Sequence, residues 1–221
     1  EYLLDLKDKN FKFSYILKRN KSNSGLTFSL NKAVNLTTKK YIARIDGDDI
    51  ILGNRFKYQL NILKNNPNID ILSSNKIEYN RVEQIHDKYH KIDFKKFNDI
   101  KKVRKQELLL KNRLAHPTII GKSELFKKFK YDIFYVGIQD YKLWLDMILN
   151  NVNIYISFTP VILYMNKKDN KKKIVRQLIE SILARLSNLF ICPIKFLIYL
   201  FLGCVHDVLI LLKLILFKYG N

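Results

Sequence analysis

Residues 11–17, FKFSYIL, place Phe11, Phe13, Tyr15 and Leu17 at every second position, the alternation that predicts a half-buried strand. Asn23-Ser24-Gly25 breaks that pattern. Leu26, Leu30, Ala33 and Val34 then recur at helical spacing, which predicts a helix of about three turns ending at Thr37-Thr38-Lys39-Lys40. A second strand is predicted over 41–45. Beyond an acidic group at 46–49, Phe56, Leu60 and Leu63 share one helical face until Asn65-Asn66-Pro67, where proline cannot continue a helix. Residues 69–72 read as the next strand.

Strand, helix, strand, helix, strand with short connections predicts an α/β core with a parallel sheet, because parallel neighbours need a long return path and helices supply it. The polar, basic stretch 80–113, with a helix around 98–111, is expected to lie over the sheet rather than within it. Residues 118–121 read as a short strand and 139–150 as an amphipathic helix. Two late strands are expected at 153–157 and 161–165. Residues 166–173 carry six charges in eight positions and mark a boundary. From Leu189 to Phe217 the chain is dominated by Leu, Ile, Phe, Val and Tyr, interrupted by Lys195, His206-Asp207 and Lys213. No uninterrupted run reaches the roughly 18 apolar residues that argue for a membrane span.

Composition narrows the classes. The chain has 221 residues, 48% hydrophobic and 27% charged, so it can bury a core and is neither a disordered polyelectrolyte nor fibrous. Forty Lys and Arg against twenty Asp and Glu give a formal charge of +20, which favours anionic partners: nucleic acid, anionic lipid or phosphate-bearing substrates. The two cysteines, Cys192 and Cys204, lie twelve residues apart in the apolar stretch, too distant along a helix to bond, and imply a reducing compartment. The chain starts at Glu1 without a signal-like segment, which reads as a processed or N-terminally incomplete form.

The chemistry concentrates in Asp46-Gly47-Asp48-Asp49, at the carboxyl end of a predicted parallel strand, where open α/β sheets place their ligands. On an extended segment Asp46 and Asp48 project to one side and can converge on a hard divalent cation, while Gly47 admits a close approach. An EF-hand is excluded, since Lys57 falls where a bidentate Glu is required. A polar turn with helix-capping carboxylates is the competing reading.

The segments GLTFSLNKAVNLTTKKYIARIDGDDIILGNRFKYQLNILKNNPNIDIL and HPTIIGKSELFKKFKYDIFYVGIQDYKLWLDMI resemble, in order, the two conserved blocks of the family 2, GT-A-fold glycosyltransferases. The first carries a Gly-Leu-x-x-x-Leu-Asn helix, a YIARxDxDD strand end, Arg and Gln on the next helix, and NPxIDI. The second leads from a His-containing strand to a (E/Q)DYxLW helix.

The resemblance implies a GT-A-like mixed, mostly parallel sheet flanked by helices. It implies an inverting transfer of a sugar from a nucleotide-diphosphate donor to an acceptor hydroxyl. It places Mg²⁺ or Mn²⁺ on Asp46 and Asp48, and the general base at Asp140, whose competing reading is a helix-capping carboxylate. Asn31, Asp46, Arg55 and His116 match positions near the donor; exposed polarity accounts for Asn31 and Arg55 nearly as well, and ordinary hydrogen bonding for His116. Trp144, one turn beyond Asp140, is either a floor under the acceptor sugar or core. Two features depart from the family: the first nucleotide-binding strands do not precede Glu1, and Met165 and Asp146 stand where relatives carry Arg.

The expected organisation is a glycosyltransferase domain over 1–166, a basic linker over 167–175 and an apolar membrane-associated helical tail over 176–221. Lys195, Asp207 and Lys213 would let tail helices lie in the interface with charges reaching the headgroups, the alternative being a tail packed on the catalytic domain. The expected setting is the cytoplasmic face of a membrane, with an anionic surface as partner, in surface-polysaccharide or glycolipid synthesis. A truncated inactive copy and a basic nucleic-acid-binding protein are the rivals. Lysines interleave with aromatics between Tyr89 and Lys130, but no helix-turn-helix, zinc or RNA-recognition signature accompanies them.

Overall fold

A computed structural model describes residues 16–79, 99–166 and 170–216. The alternating stretch at 11–17 falls almost wholly outside these residues. Helix α1, Leu26–Leu36, starts where Gly25 adopts a φ of 79°, a backbone turn into the helix that a side chain would resist. It is followed by β1, Tyr41–Ala43, and a two-residue β2, Ile50–Ile51. Helix α2, Arg55–Asn65, ends as predicted at Asn66, whose side chain and backbone N–H both donate to Ile62 O, with Pro67 beyond.

Strand β3, Ile71–Tyr79, runs well past the predicted four residues. Strand β4, Ile100–Lys102, and helix α3, Lys105–Leu110, occupy the region expected to be one helix over the sheet; β4 lies within the sheet, paired with β6. A 3₁₀ turn, His116–Thr118, leads into β5, Ile120–Lys122, and α4, Ser123–Phe129. Helix α5, Gln139–Leu149, matches its predicted span. Strand β6, Ile154–Met165, joins the two expected late strands into one, with Pro160 set at a register irregularity opposite Asn75 where the ladder is already interrupted. Helices α6, Lys171–Leu186, and α7, Leu197–Leu216, are the last elements among the described residues.

The sheet order is β1-β5-β3-β6-β2, with β4 also on β6. It is mixed, and among the described residues β3 and β6 form its one parallel pair; the other four pairings are antiparallel. This corrects the mostly parallel expectation. Strands β1 and β3 do run the same way with a crossover helix between them, as the local pattern demands. They are not neighbours, because β5 enters between them and bonds antiparallel to both. Gly121 makes that insertion possible: a Cβ there would lie 2.3 Å from Ile71 Cδ1.

Helix α5 is buried nearly all round, including Leu143, Trp144, Leu145 and Met147, because α3, α4 and α6 pack on it and Ile71 and Ile154 of the sheet join the same core. Ala184, Cys192 and Leu200 belong to the same buried cluster as Trp144. The change at 167–175 therefore separates two kinds of sequence while the helices beyond it pack on the core. Both cysteines are free.

Candidate active site

The acidic residues follow β1 directly. Arg44 N–H donates to Ile119 O at 3.0 Å, extending the β1–β5 ladder by one bond. The chain then turns: Asp49 N–H donates to Asp46 O at 3.2 Å. Asp46 and Asp48 thus occupy a tight turn instead of the extended segment expected, because a main-chain bond across four residues overrides strand geometry. Asp46 is half-buried and Asp48 exposed. Tyr79 Oη donates to Asp48 O at 3.2 Å and fixes the turn from β3.

Arg55 lies beneath this turn, fully buried. Its Nη2 donates to Arg44 O at 2.7 Å and its Nε to Gln59 Oε1 at 3.0 Å. Gln59 in turn donates to Ser74 Oγ and Thr118 O. The pair ties the β1 end to β3 and to the 3₁₀ turn that precedes β5, and burial brings the guanidinium down to about 10. Arg55 therefore supports the strand that carries the carboxylates; with no exposed surface, it makes no direct donor contact in this arrangement.

Arg44, which the sequence reading passed over inside the YIAR string, is the hub above. It forms an ion pair with Asp46, its Nε lying 3.2 Å from Oδ1, and its Nη1 lies 3.0 Å from His116 Nδ1. His116 Nε2 is 2.9 Å from Tyr131 Oη. Burial, reinforced by the Arg44 charge, holds the imidazole well below its ordinary pKa, so it is neutral. Asp140 stands at the start of α5, where the Tyr141 backbone N–H and Asn112 Nδ2, the latter 3.3 Å from Oδ2, donate to it. Burial nevertheless raises its pKa, with those bonds and Arg44 opposing the shift. Asp46 and His116 thus contact Arg44, and Asp140 feels its charge.

Two expected residues stand elsewhere. Trp144 is fully buried, edge-on to His116 at 5.8 Å and to Phe126 at 6.3 Å between ring centroids. It corrects the sugar-floor expectation: the face of α5 that carries it meets His116 of the 3₁₀ turn and Phe126 of α4, so the ring backs the site from within. Asn31 bonds the main chain of Tyr131 and so steadies that residue's position. Asn112 and Tyr131 carried no sequence signal, since only the fold brings them to Asp140 and His116.

The acidic turn suits a hard cation that arrives with a diphosphate. Among the described residues no three His, Cys, Asp or Glu side chains form a protein cage. Burial, then the charges of Asp46 and Asp48, push Asp49 up to about 6, and its buried Oδ2 lacks a hydrogen-bond partner. Such crowding is what a divalent ion relieves, and Mg²⁺ is commonly held by one or two carboxylates plus substrate phosphates.

Comparison with known proteins agrees with this architecture. Residues 1–131 match the Glycosyl transferase family 2 profile, and the chain belongs to that family. An uncharacterized glycosyltransferase of Methanocaldococcus jannaschii is 38% identical over 136 residues, covering 62% of this chain and 45% of that protein. The bifunctional glycosyltransferase pgtA of Dictyostelium discoideum is 30% identical over 180 residues, covering 68% of this chain and 23% of that protein. The chain thus spans less than half the length of either relative.

Two crystal structures of S. aureus TarS residues 1–349 share the fold. One superimposes with a TM-score of 0.55 at 14% identity, over 84% of this chain and 51% of TarS. The other, in complex with UDP, has a TM-score of 0.50 at 16% identity, over 73% of this chain and 45% of TarS. The GT-A-type fold follows from these likenesses.

Proposed function

We propose that the protein is an inverting glycosyltransferase that moves a sugar from a nucleotide-diphosphate donor to the hydroxyl of a saccharide or glycolipid. The observation that carries this reading is that Asp46, at a strand end, is paired with Arg44, while Asp140, at a helix start, feels the charge of the same guanidinium. UDP bound to the TarS neighbour supports a nucleotide-linked donor. Asp140 takes the acceptor proton as the hydroxyl oxygen attacks the anomeric carbon, from the side opposite the departing diphosphate. A carboxyl whose pKa is raised by burial is the better base for an alcohol near neutral pH. The C–O bond to the donor breaks and its electron pair remains on the β-phosphate oxygen. Asp46 and Asp48 would hold Mg²⁺ or Mn²⁺, which when bound would stabilise that charge.

Arg44 keeps Asp46 oriented, and the neutral His116, with Tyr131, steadies Arg44 without adding charge. The test is release of nucleoside diphosphate from a panel of nucleotide sugars, with and without chelator. Absence of release from every donor, in the presence of Mn²⁺ and mixed glycan acceptors, counts against the reading.

The tail supports attachment to the cytoplasmic face of an anionic membrane. Residues Ile194–Leu216 form a helix long and apolar enough to cross a bilayer, with a mean hydropathy of 2.1. Phe190, Ile194, Ile198, Phe201 and Leu209 are exposed on it or beside it. Lys171, Lys172 and Lys173 open α6 and suit anionic headgroups. Asp207 does not reach the headgroups as the sequence suggested: it is buried and paired within the protein. Helix α7 is therefore proposed to lie along the interface, one face on the catalytic core and the other in lipid. A membrane setting accords with an acceptor in surface polysaccharide or glycolipid synthesis.

A further inference from the structure

Helix α3 has six residues, so its last carbonyls have no partner within the helix. Three groups from distant elements supply them. Tyr141 Oη donates to Leu108 O at 2.7 Å, Arg185 Nε to Leu109 O at 2.7 Å, and Arg185 Nη2 to Leu110 O at 2.8 Å. Two residues beyond Leu110 stands Asn112, whose Nδ2 reaches Asp140 and whose Oδ1 accepts from Leu114 N–H.

Arg185 is itself tightly held. Its Nη1 donates to Asp207 Oδ2 at 2.6 Å and to Ser181 Oγ at 2.7 Å, and its guanidinium carbon lies 5.2 Å from the centre of the Tyr141 ring. Gly203 of α7 provides the space: a Cβ there would stand 2.5 Å from Arg185 Nε and 2.6 Å from Leu109 O. A side chain that is 1% exposed and bonded to three elements is a clamp, and both ends of what it clamps lead to Asp140. One route runs through the α3 end to Asn112; the other runs through Tyr141, the next residue of α5.

We propose that Arg185 is a positioning residue for Asp140, acting through the carbonyls and the Tyr141 ring that it holds. This rests on the reading of Asp140 as the base. A lysine at 185 keeps the charge but cannot bridge two carbonyls and a carboxylate in the fork geometry of a guanidinium. Misplacing a base by about 1 Å costs on the order of 100-fold in rate.

The experiment compares full-length Arg185→Lys, Gly203→Ala and Leu200→Ala, all assayed well below their melting temperatures. Leu200→Ala removes core packing on the same tail helix while leaving every hydrogen-bonding group of the clamp in place. Expected for the first two variants are a kcat lowered roughly 10- to 100-fold, UDP affinity within about twofold of wild type, and faster amide hydrogen exchange at 111–114. Leu200→Ala should lose stability yet keep kcat and the exchange pattern. Wild-type kcat and exchange in Arg185→Lys overturn the proposal, and so does an equal kcat loss in Leu200→Ala. A wild-type chain that releases no diphosphate, with exchange at 111–114 still selectively faster in Arg185→Lys, sinks the base assignment while upholding the clamp.

Discussion

Asn31 and Tyr131 are joined by two opposed hydrogen bonds: Asn31 Nδ2 donates to Tyr131 O at 2.8 Å, and Tyr131 N–H donates to Asn31 Oδ1 at 2.9 Å. Both polar groups of the amide are thereby engaged with a backbone a hundred residues away. Tyr131 holds His116, which faces Arg44, so the helix that family resemblance places beside the nucleotide acts on the site through this chain of contacts.

Replacing Asn31 with Leu leaves the Tyr131 N–H and carbonyl unpaired. The expected loss is about 2 to 4 kcal/mol in denaturant-measured stability, at one to two for each lost partner. Affinity for UDP, measured by calorimetry at a temperature where the variant is folded, should change little. A large affinity loss at undiminished stability would instead make Asn31 a direct donor contact.

Donor binding should require a divalent ion. Titration of UDP in Mn²⁺ should give measurable heat that chelation removes, and Asp48→Ala should weaken binding at least about tenfold, the scale on which metal sites respond to a lost partner. Identical isotherms for the variant and the wild type, with and without chelator, would leave the acidic turn a purely structural feature.

Asp140→Asn should retain UDP affinity while losing transfer by about 100-fold or more. It also has a stability signature. The raised pKa means that Asp140 favours the fold when protonated: its contribution is complete below the unfolded carboxyl pKa and disappears as pH rises through the folded value. At pH 7 the variant should melt above the wild type, and the difference should narrow on acidification. A variant that melts lower at pH 7 and turns over normally would make Asp140 a helix cap.

Glu107 has the opposite sign. Burial alone would raise its pKa, but hydrogen bonds from Lys101 and Arg104 bring it down to about 2. Its contribution is present above the unfolded value near 4.5 and is lost as pH falls through about 2. Glu107→Gln should cost roughly 1 to 2 kcal/mol at pH 7 after solvent screening, with the gap to wild type closing between pH 5 and pH 2. A constant difference across that range would exclude the ion pairs as its source.

The protein should sediment with anionic vesicles and less so as salt increases, because basic residues near the surface contribute roughly 1 kcal/mol each and are screened. Deleting the tail is not a clean test, since Ala184 and Leu200 lie in the core. Serine at Phe190, Ile194 and Phe201, all exposed, should reduce pelleting without unfolding the protein. Equal pelleting of the triple variant, or an intact protein that stays in the supernatant, would rule out this surface.

The sequence by itself determined what depends on neighbours a few positions away. Helices α1, α2 and α5 were legible because apolar residues at helical spacing and stops such as Pro67 act within a turn or two. The acidic group at the end of β1, and the Asp140 that opens α5, could be placed because their element follows from that same local pattern. Tertiary structure alone decided which faces and partners meet. Nothing near Gly121 announces that β5 will part β1 from β3; that depends on Ile71 packing over a position without a Cβ. Trp144 is core because the face of α5 that carries it meets His116 of the 3₁₀ turn and Phe126 of α4, while the helix's own sequence is compatible with either side. Arg44 meets His116 across 72 residues and Arg185 meets Asp207 across 22. A buried charge has to be neutralised by whatever the packed elements bring within reach, and that partner is chosen by how helices and strands stack, which no local spacing encodes.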